Sequence, residues 1–135
     1  MGVIGSDCHA VGNRILELYF SDAGFKVVNL GVMVTQQEFI AAAIETSSHA
    51  ILISSLYGHA ELDCRGLREK CVEAGIGNIL LYIGGNLTVG TSDFHDVEEK
   101  FKTLGFDRVF SADSELDYAL ECLENDLRKR GVLYE

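Results

Sequence analysis

The chain has 135 residues, enough for one domain with a single substantial core and too few for separate cofactor and substrate domains. Hydrophobic residues make up 47% and charged residues 24%, which excludes disorder and collagen-like structure. Eleven Lys+Arg against 21 Asp+Glu give a net charge of -10, which repels phosphate backbones and argues against a nucleic-acid partner.

Strand-like apolar runs begin near Gly2, Lys26, Ala50, Ile79 and Arg108, at intervals of 24 to 29 residues, with helical spacing between them. Three triplets, Ala23-Gly24-Phe25, Ala74-Gly75-Ile76 and Leu104-Gly105-Phe106, place glycine where a helix ends in a left-handed residue, followed by an apolar residue that folds back on the last turn. The second helix opens with a capping box of Thr35 and Glu38 and carries Phe39, Ile40, Ala43 and Ile44 on one stripe. The last helix presents Leu116, Ala119, Leu120, Leu123 and Leu127 and stops at Gly131. Right-handed crossovers then require a parallel sheet covered on both faces. The expected fold class is α/β: a doubly wound, flavodoxin-like (Rossmann-like) three-layer sandwich, residues 1–135 forming one domain, with a five-stranded parallel sheet of order 2-1-3-4-5.

No apolar run is long enough to cross a bilayer, and no signal stretch opens the chain, so a cytoplasmic location without membrane contact is expected. Cys8, Cys64, Cys71 and Cys122 form no Cys-x-x-Cys pair and read as free thiols; Cys64 and Cys71, seven apart, are expected on one helix face as packing residues. His49, His59 and His95 read as solvent-exposed, and the Glu98–Glu99 and Glu124–Arg130 stretches as solvated helix faces.

Ligands of such sheets bind at the carboxyl ends of the strands, beside the switch point. The loop after the first strand there reads Gly5-Ser6-Asp7-Cys8-His9-Ala10-Val11-Gly12. In extended chain, residues two apart face the same way, so Asp7 can hold one imidazole nitrogen of His9 and leave the other for a metal or proton. Read by itself, Asp-x-His also fits a surface or capping pair. The loop after the third strand reads Ser54-Ser55-Leu56-Tyr57-Gly58, and the one after the fourth Gly84-Gly85-Asn86-Leu87-Thr88-Val89-Gly90. Small and hydroxyl side chains at adjacent strand ends clear a slot beneath His9 for an uncharged or phosphodiester tail.

The set Asp7-Cys8-His9-Ala10-Val11-Gly12, Ser54-Ser55-Leu56 and Gly84-Gly85 resembles the Asp-x-His-x-x-Gly, Ser-x-Leu, Gly-Gly pattern of the cobalamin (B12)-binding domains in adenosylcobalamin mutases and methionine synthase. The phrases Gly2–Gly12, Ser54–Gly58 and Gly66–Cys71 resemble most the family of small (sigma, or S) subunits of glutamate mutase, or methylaspartate mutase. Likeness extends from Gly2 to about Val109 and is indistinct in the last helix.

The resemblance implies an isomerase subunit that carries adenosylcobalamin (coenzyme B12). His9 is then the axial cobalt ligand, with Asp7 hydrogen-bonded behind it, and Ser6, Cys8 and Ala10 lie under or beside the corrin. Gly12 lets a bulky ligand pass close to the helix backbone. The nucleotide tail runs in a slot lined by Ser54, Ser55, Leu56, Gly84, Gly85, Asn86, Leu87, Thr88, Val89 and Gly90. No catalytic residue is implied on this chain. A larger epsilon subunit with a TIM barrel, two sigma and two epsilon chains forming a heterotetramer, supplies the substrate-binding residues. Cobalt–carbon homolysis then starts the radical rearrangement that interconverts L-glutamate and L-threo-3-methylaspartate, a reaction of glutamate fermentation. The absence of an arginine cluster able to clamp a dicarboxylate agrees with that division of labour.

Two other readings use the same fold. A corrinoid carrier for methyl transfer shares the His9 slot but usually has a preceding helical cap domain. A receiver needs a phosphoacceptor Asp where Ser54 and Ser55 stand, and a flavodoxin needs a hydroxyl-rich phosphate loop where Asp7-Cys8-His9 stands. Only Met1 to Ile4 precede Gly5, so a chain starting there is expected to hold a charged amine near the middle of the sheet and to be less stable without cofactor.

Overall fold

The computed structural model describes residues 1–5, 10–55, 60–85, 87, 93–111 and 114–131, without the side chains of 10 and 11. Four parallel strands, β1 (Gly2–Val3), β2 (Ala50–Ser55), β3 (Leu80–Gly85) and β4 (Arg108–Ser111), lie in the order β1-β2-β3-β4. Around them run α1 (Ala10–Asp22), α2 (Gln36–Thr46), α3 (Ala60–Cys64), α4 (Leu67–Glu73), α5 (Phe94–Thr103) and α6 (Leu116–Lys129).

Strand alternation sorts the side chains into two cores. Ile51, Ile53, Leu81, Ile83 and Val109 pack with Phe39 and Ile40 of α2, Cys64, Leu67 and Cys71 of α3 and α4, and Val97 and Phe101 of α5. On the opposite face Leu80, Tyr82 and Phe110 pack with Phe20 of α1 and with Cys122, Leu123 and Leu127 of α6. The sheet is therefore covered on both sides, as its continuously apolar central strands require.

The glycine triplets close helices as expected. Gly24, Gly75 and Gly105 have φ of 98°, 85° and 107°. The next N–H reaches back to the last turn in each case: Phe25 to Phe20 O at 3.1 Å, Ile76 to Cys71 O at 2.9 Å and Phe106 to Phe101 O at 3.2 Å. Ring pairs Phe20–Phe25 and Phe101–Phe106, 6.2 and 6.0 Å between centroids, supply the apolar contact that accompanies this motif. The Thr35–Glu38 capping box is present, and Gly131 follows α6 with φ 74°.

Two details differ from expectation. The run starting at Lys26 lies beside β1 in the outer position expected of a second strand, but it is not a regular strand. Met1 bonds both neighbours of Asn29 in normal parallel fashion, Leu30 N–H donating to Met1 O at 2.8 Å. Val3, by contrast, donates to Gly31 O and accepts from Val34 N, both at 2.9 Å. Those partners stand three residues apart where a regular ladder spans two, and Gly31 takes the place of Leu30 as acceptor from Val3, so two extra residues are taken up between the Met1–Asn29 and Ile4–Val34 positions, accommodated by positive φ at Gly31 (86°) and Met33 (54°). The order 2-1-3-4-5 survives with four regular strands and an isolated Ile4–Val34 bridge. The helix expected to carry both Cys64 and Cys71 is broken at Gly66, φ 82°, so the two thiols sit on α3 and α4. Both are fully buried, and burial, reinforced by Asp63, pushes the Cys64 thiol up to about 12.

Two polar clasps tie the layers together. Arg68 of α4 donates to Gly105 O at 2.9 Å, Gly77 O at 2.9 Å, Ile79 O at 2.8 Å and Asp107 Oδ2 at 2.9 Å. Across the sheet Arg108 grips Asp126 of α6 through two bonds of 2.9 and 3.0 Å, and the Tyr82 hydroxyl donates to the same carboxylate. Arg108, with a smaller contribution from Tyr82, holds the Asp126 carboxyl below its ordinary value of 3.8. A folded-state pKa depressed in this way stabilises the protein above pH 3.8, and that stabilisation is lost as pH falls through the folded value. Asp126→Asn is expected to cost about 2 kcal/mol at pH 7, between surface and fully buried pairs, and to flatten the acid limb of stability. Urea titrations at pH 7 and pH 3 check this: an equal deficit at both would contradict it.

At the amino edge β1 is two residues long. The Met1 amine donates to Val28 O at 2.8 Å, and burial lowers its pKa to about 6. The register pairs Gly2 with Ile53, so Ala50 and Ile51 of β2 extend past Met1 beside a cavity of about 250 Å³ lined in part by Lys26, Val27 and Ala50. Adding three β-forming residues ahead of Met1 is expected to continue β1 into that gap and raise the urea midpoint; an unchanged midpoint would contradict the packing described.

Candidate functional site

At the carboxyl edge the register aligns Val3, Ser54, Gly84 and Phe110 in one row across the four strands. Side chains of that row face α1 and α6. Because Gly84 has none, a slot of about 290 Å³ opens between the sheet and the two helices. Its floor is Leu52, Ser54, Tyr82, Gly84 and Phe110, and its helical wall includes Gly12, Asn13 and Leu16 of α1 with Leu116 and Ala119 of α6. The volume is near the lower end of pockets that hold small organic ligands, roughly 300–1,000 Å³. A Cβ at Gly84 would meet Phe110 Cβ at 3.4 Å, an ordinary contact, whereas at Gly12 it would meet nothing within 4 Å. The backbone at these positions tolerates a side chain; the slot is the space left by its absence.

Beside the slot, β1 leads through Ile4 and Gly5 toward α1, whose first residue, Ala10, follows His9 in sequence. Gly5 has φ 75°, its N–H donates to Val34 O at 2.9 Å, and the Asp63 carboxylate lies where its Cβ would be. Any other residue there would be strained by that φ and would have to displace the Asp63 carboxylate.

Three buried side-chain polar atoms lack a hydrogen-bond partner among the described residues: Asn13 Oδ1, Gln36 Oε1 and Ser55 Oγ. Asn13 lies in the first turn and a half of α1, Gln36 opens α2 and Ser55 ends β2, so all three sit at the carboxyl edge. Native folds rarely leave such groups unpaired, and their collection at one edge is the mark of a surface completed by something bound there.

Of the residues singled out in the sequence, Gly12, Ser54, Gly84 and Gly85 line the slot. Ser55 and Leu87 do not. Ser55 is fully buried, one residue out of phase with Ser54, and Leu87 packs in the core beneath α2 and α5. Ser6, Asp7, Cys8, His9, Leu56, Asn86, Thr88, Val89 and Gly90, together with Tyr57 to His59, lie outside the described residues, as does the Ala10 side chain. Sequence reasoning missed Asn13, Leu16, Tyr82, Phe110 and Ala119. The signal for Asn13 and Leu16 was their helical spacing around Gly12; Ala119 becomes visible only when α6 is packed against α1.

The six arginines are all engaged. Arg68 and Arg108 belong to the two clasps; Arg14 pairs with Glu17, Arg65 with Glu61 at 3.4 Å, Arg128 with Asn125 at 3.1 Å, and Arg130 with Asn78 O. Among the described residues Glu115 is the one charged residue in the slot lining. The edge formed by the described residues is thus suited to a largely neutral, part-apolar ligand and offers no converging cations for a dicarboxylate. No helix of the described residues is long and apolar enough to cross a membrane.

Comparison with known proteins gives findings of three kinds. A B12 binding domain family model matches residues 1–111. The glutamate mutase sigma subunit of Escherichia coli O157:H7 is 56% identical over 130 residues, 96% of this chain and 87% of that protein. The sigma subunit of Carboxydothermus hydrogenoformans is 59% identical over 127 residues, 94% of this chain and 93% of the other. Among solved structures, a cobalamin-binding protein from Desulfitobacterium hafniense DCB-2 superposes with a TM-score of 0.73 at 18% identity, covering 92% of this chain and 55% of that one. The Methanosarcina barkeri monomethylamine corrinoid protein gives 0.67 at 22%, covering 90% and 56%. This chain spans about half the length of those two structures, and at such identity they speak for the fold.

Proposed function

From its membership of the B12-binding family, and within it of the glutamate mutase sigma subunits, we infer that this chain is the cobalamin-carrying subunit of glutamate mutase, an isomerase that uses adenosylcobalamin. The observation that carries the site assignment is the slot opened by Gly84 at the carboxyl edge, lined by Asn13, whose buried Oδ1 lacks a partner among the described residues.

In this reading His9 is the axial cobalt ligand, and Asp7 fixes its tautomer and raises its basicity. Ser6, Cys8 and Ala10 lie beside the corrin. Gly12, Ser54, Gly84 and Gly85 admit the nucleotide tail, and Leu56, Asn86, Thr88, Val89 and Gly90 are proposed to contact it as well. Ser55 and Leu87 support the slot from the opposite core. When bound, the cofactor supplies a weak cobalt–carbon bond as the radical source for the carbon-skeleton rearrangement. This chain's own residues hold and orient it and keep water from its lower face.

Substrate recognition belongs to a partner, because the arginines here are engaged within the fold. That partner is proposed to be an epsilon subunit with a TIM barrel, in a cytoplasmic heterotetramer of two sigma and two epsilon chains. Titrating the purified chain with adenosylcobalamin should give the base-off absorption change, and adding the epsilon subunit should give interconversion of L-glutamate and L-threo-3-methylaspartate. An unchanged spectrum at saturating cofactor would contradict the reading.

A further inference from the structure

Asn13 has an amide whose orientation is fixed. Asn29 Oδ1 accepts from the Gly31 N–H at 2.9 Å, so it faces Asn13 as an acceptor; Gly31 O is an acceptor by nature. Asn13 Nδ2 donates to both, at 2.8 and 3.4 Å. Rotating the amide would set three acceptor oxygens against one another, which leaves Asn13 Oδ1 on the other side. There it is buried without a donor, on a residue 4% exposed that lines the 290 Å³ slot.

An acceptor so placed selects for a ligand group that donates. Among the described residues no lining side chain donates to it: the Tyr82 hydroxyl is given to Asp126, Ser111 and Ser114 bond to each other at 3.1 Å, Glu115 is an acceptor, and no bond runs from Ser54 Oγ. The nucleotide tail of cobalamin has a phosphodiester and a benzimidazole ring, both acceptors, joined by a ribose whose hydroxyls are its donors. We propose that Asn13 is a cofactor-binding residue, its Oδ1 accepting a hydrogen bond from a ribose hydroxyl of the tail. The proposal rests on the cobalamin-carrier reading. It also links the slot to the bulged segment beside β1, because the side chain that meets the tail is the one clamped to Asn29 and Gly31.

The test compares adenosylcobalamin with adenosylcobinamide, which has the same corrin and upper ligand but lacks the nucleotide tail. Binding of each is read by absorption titration for the parent chain and for Asn13→Leu, with Asn13→Ala as the second variant should the larger side chain prevent folding. The expected result is an affinity for adenosylcobalamin about five- to twentyfold lower, with affinity for adenosylcobinamide within twofold of the parent. Equal losses for the two ligands would mean a structural role and overturn the proposal, as would no loss for either. A parent chain that binds neither ligand would overturn the carrier reading itself, a distinct outcome.

Discussion

With His9 acting as ligand and not as scaffold, His9→Ala should leave the unliganded fold within about 0.5 kcal/mol of the parent, while adenosylcobalamin affinity falls about a hundredfold or more. A hundredfold corresponds to about 2.7 kcal/mol, a modest value for losing a coordinating imidazole. Among the described residues one core is closed by α2, α3, α4 and α5 and the other by α1 and α6, which is the ground for expecting an insensitive fold. Asp7→Asn keeps the shape but weakens the hold on the ring, and a loss of about 10- to 100-fold is expected from the behaviour of such outer partners. Urea titration and absorption titration on the same preparations separate the two effects. A destabilised variant with normal affinity would assign His9 to the scaffold.

Gly84→Val is expected to have an effect of similar size by a different route. Gly84 is paired with Ser54 and Phe110 in the interior of the sheet, and a Cβ there makes an ordinary contact with Phe110. A β-branched residue suits that strand position, so unliganded stability should be equal or higher, by up to about 1 kcal/mol. Its methyl groups, however, occupy the floor of a 290 Å³ slot whose walls are packed core residues. With nowhere for them to go, the tail is excluded, and affinity for adenosylcobalamin should fall by roughly a hundredfold or more, since overpacking a closed site costs about 1–3 kcal/mol and the tail's own contacts are lost as well. Adenosylcobinamide, lacking the tail, should bind with nearly unchanged affinity. Equal affinity of the variant and parent for adenosylcobalamin would place the tail elsewhere.

The parts of this molecule legible in the sequence are those whose physics is local. A glycine that stops a helix and the apolar residue behind it are neighbours in the chain, so Gly24–Phe25, Gly75–Ile76 and Gly105–Phe106 could be read directly, as could the Thr35–Glu38 box. The bulge beside β1 could not: its second positive φ falls on Met33, a residue that carries no mark of that conformation. Gly66 was a readable break in a helical pattern, and passing over it put Cys64 and Cys71 on one helix. Strict alternation along β2 likewise separates Ser54 from Ser55, though both emerge at the same edge. The far wall of the slot depends on α6 crossing back over α1 and β3, a tertiary fact with no short-range signature. The Asp126 clasp that holds it, Tyr82 and Arg108 meeting α6 across 44 and 18 residues, is equally invisible until the chain is folded.

The central claim is that a protein imidazole replaces the cofactor's own base beneath cobalt. EPR of the cob(II)alamin-loaded chain tests it, comparing protein at natural abundance with protein labelled with 15N in histidine. An axial 14N nucleus splits each cobalt line into three and 15N into two. The account predicts triplets that become doublets on labelling and disappear from the His9→Ala protein; triplets that persist in the labelled protein would show the cofactor's benzimidazole still bound and contradict it.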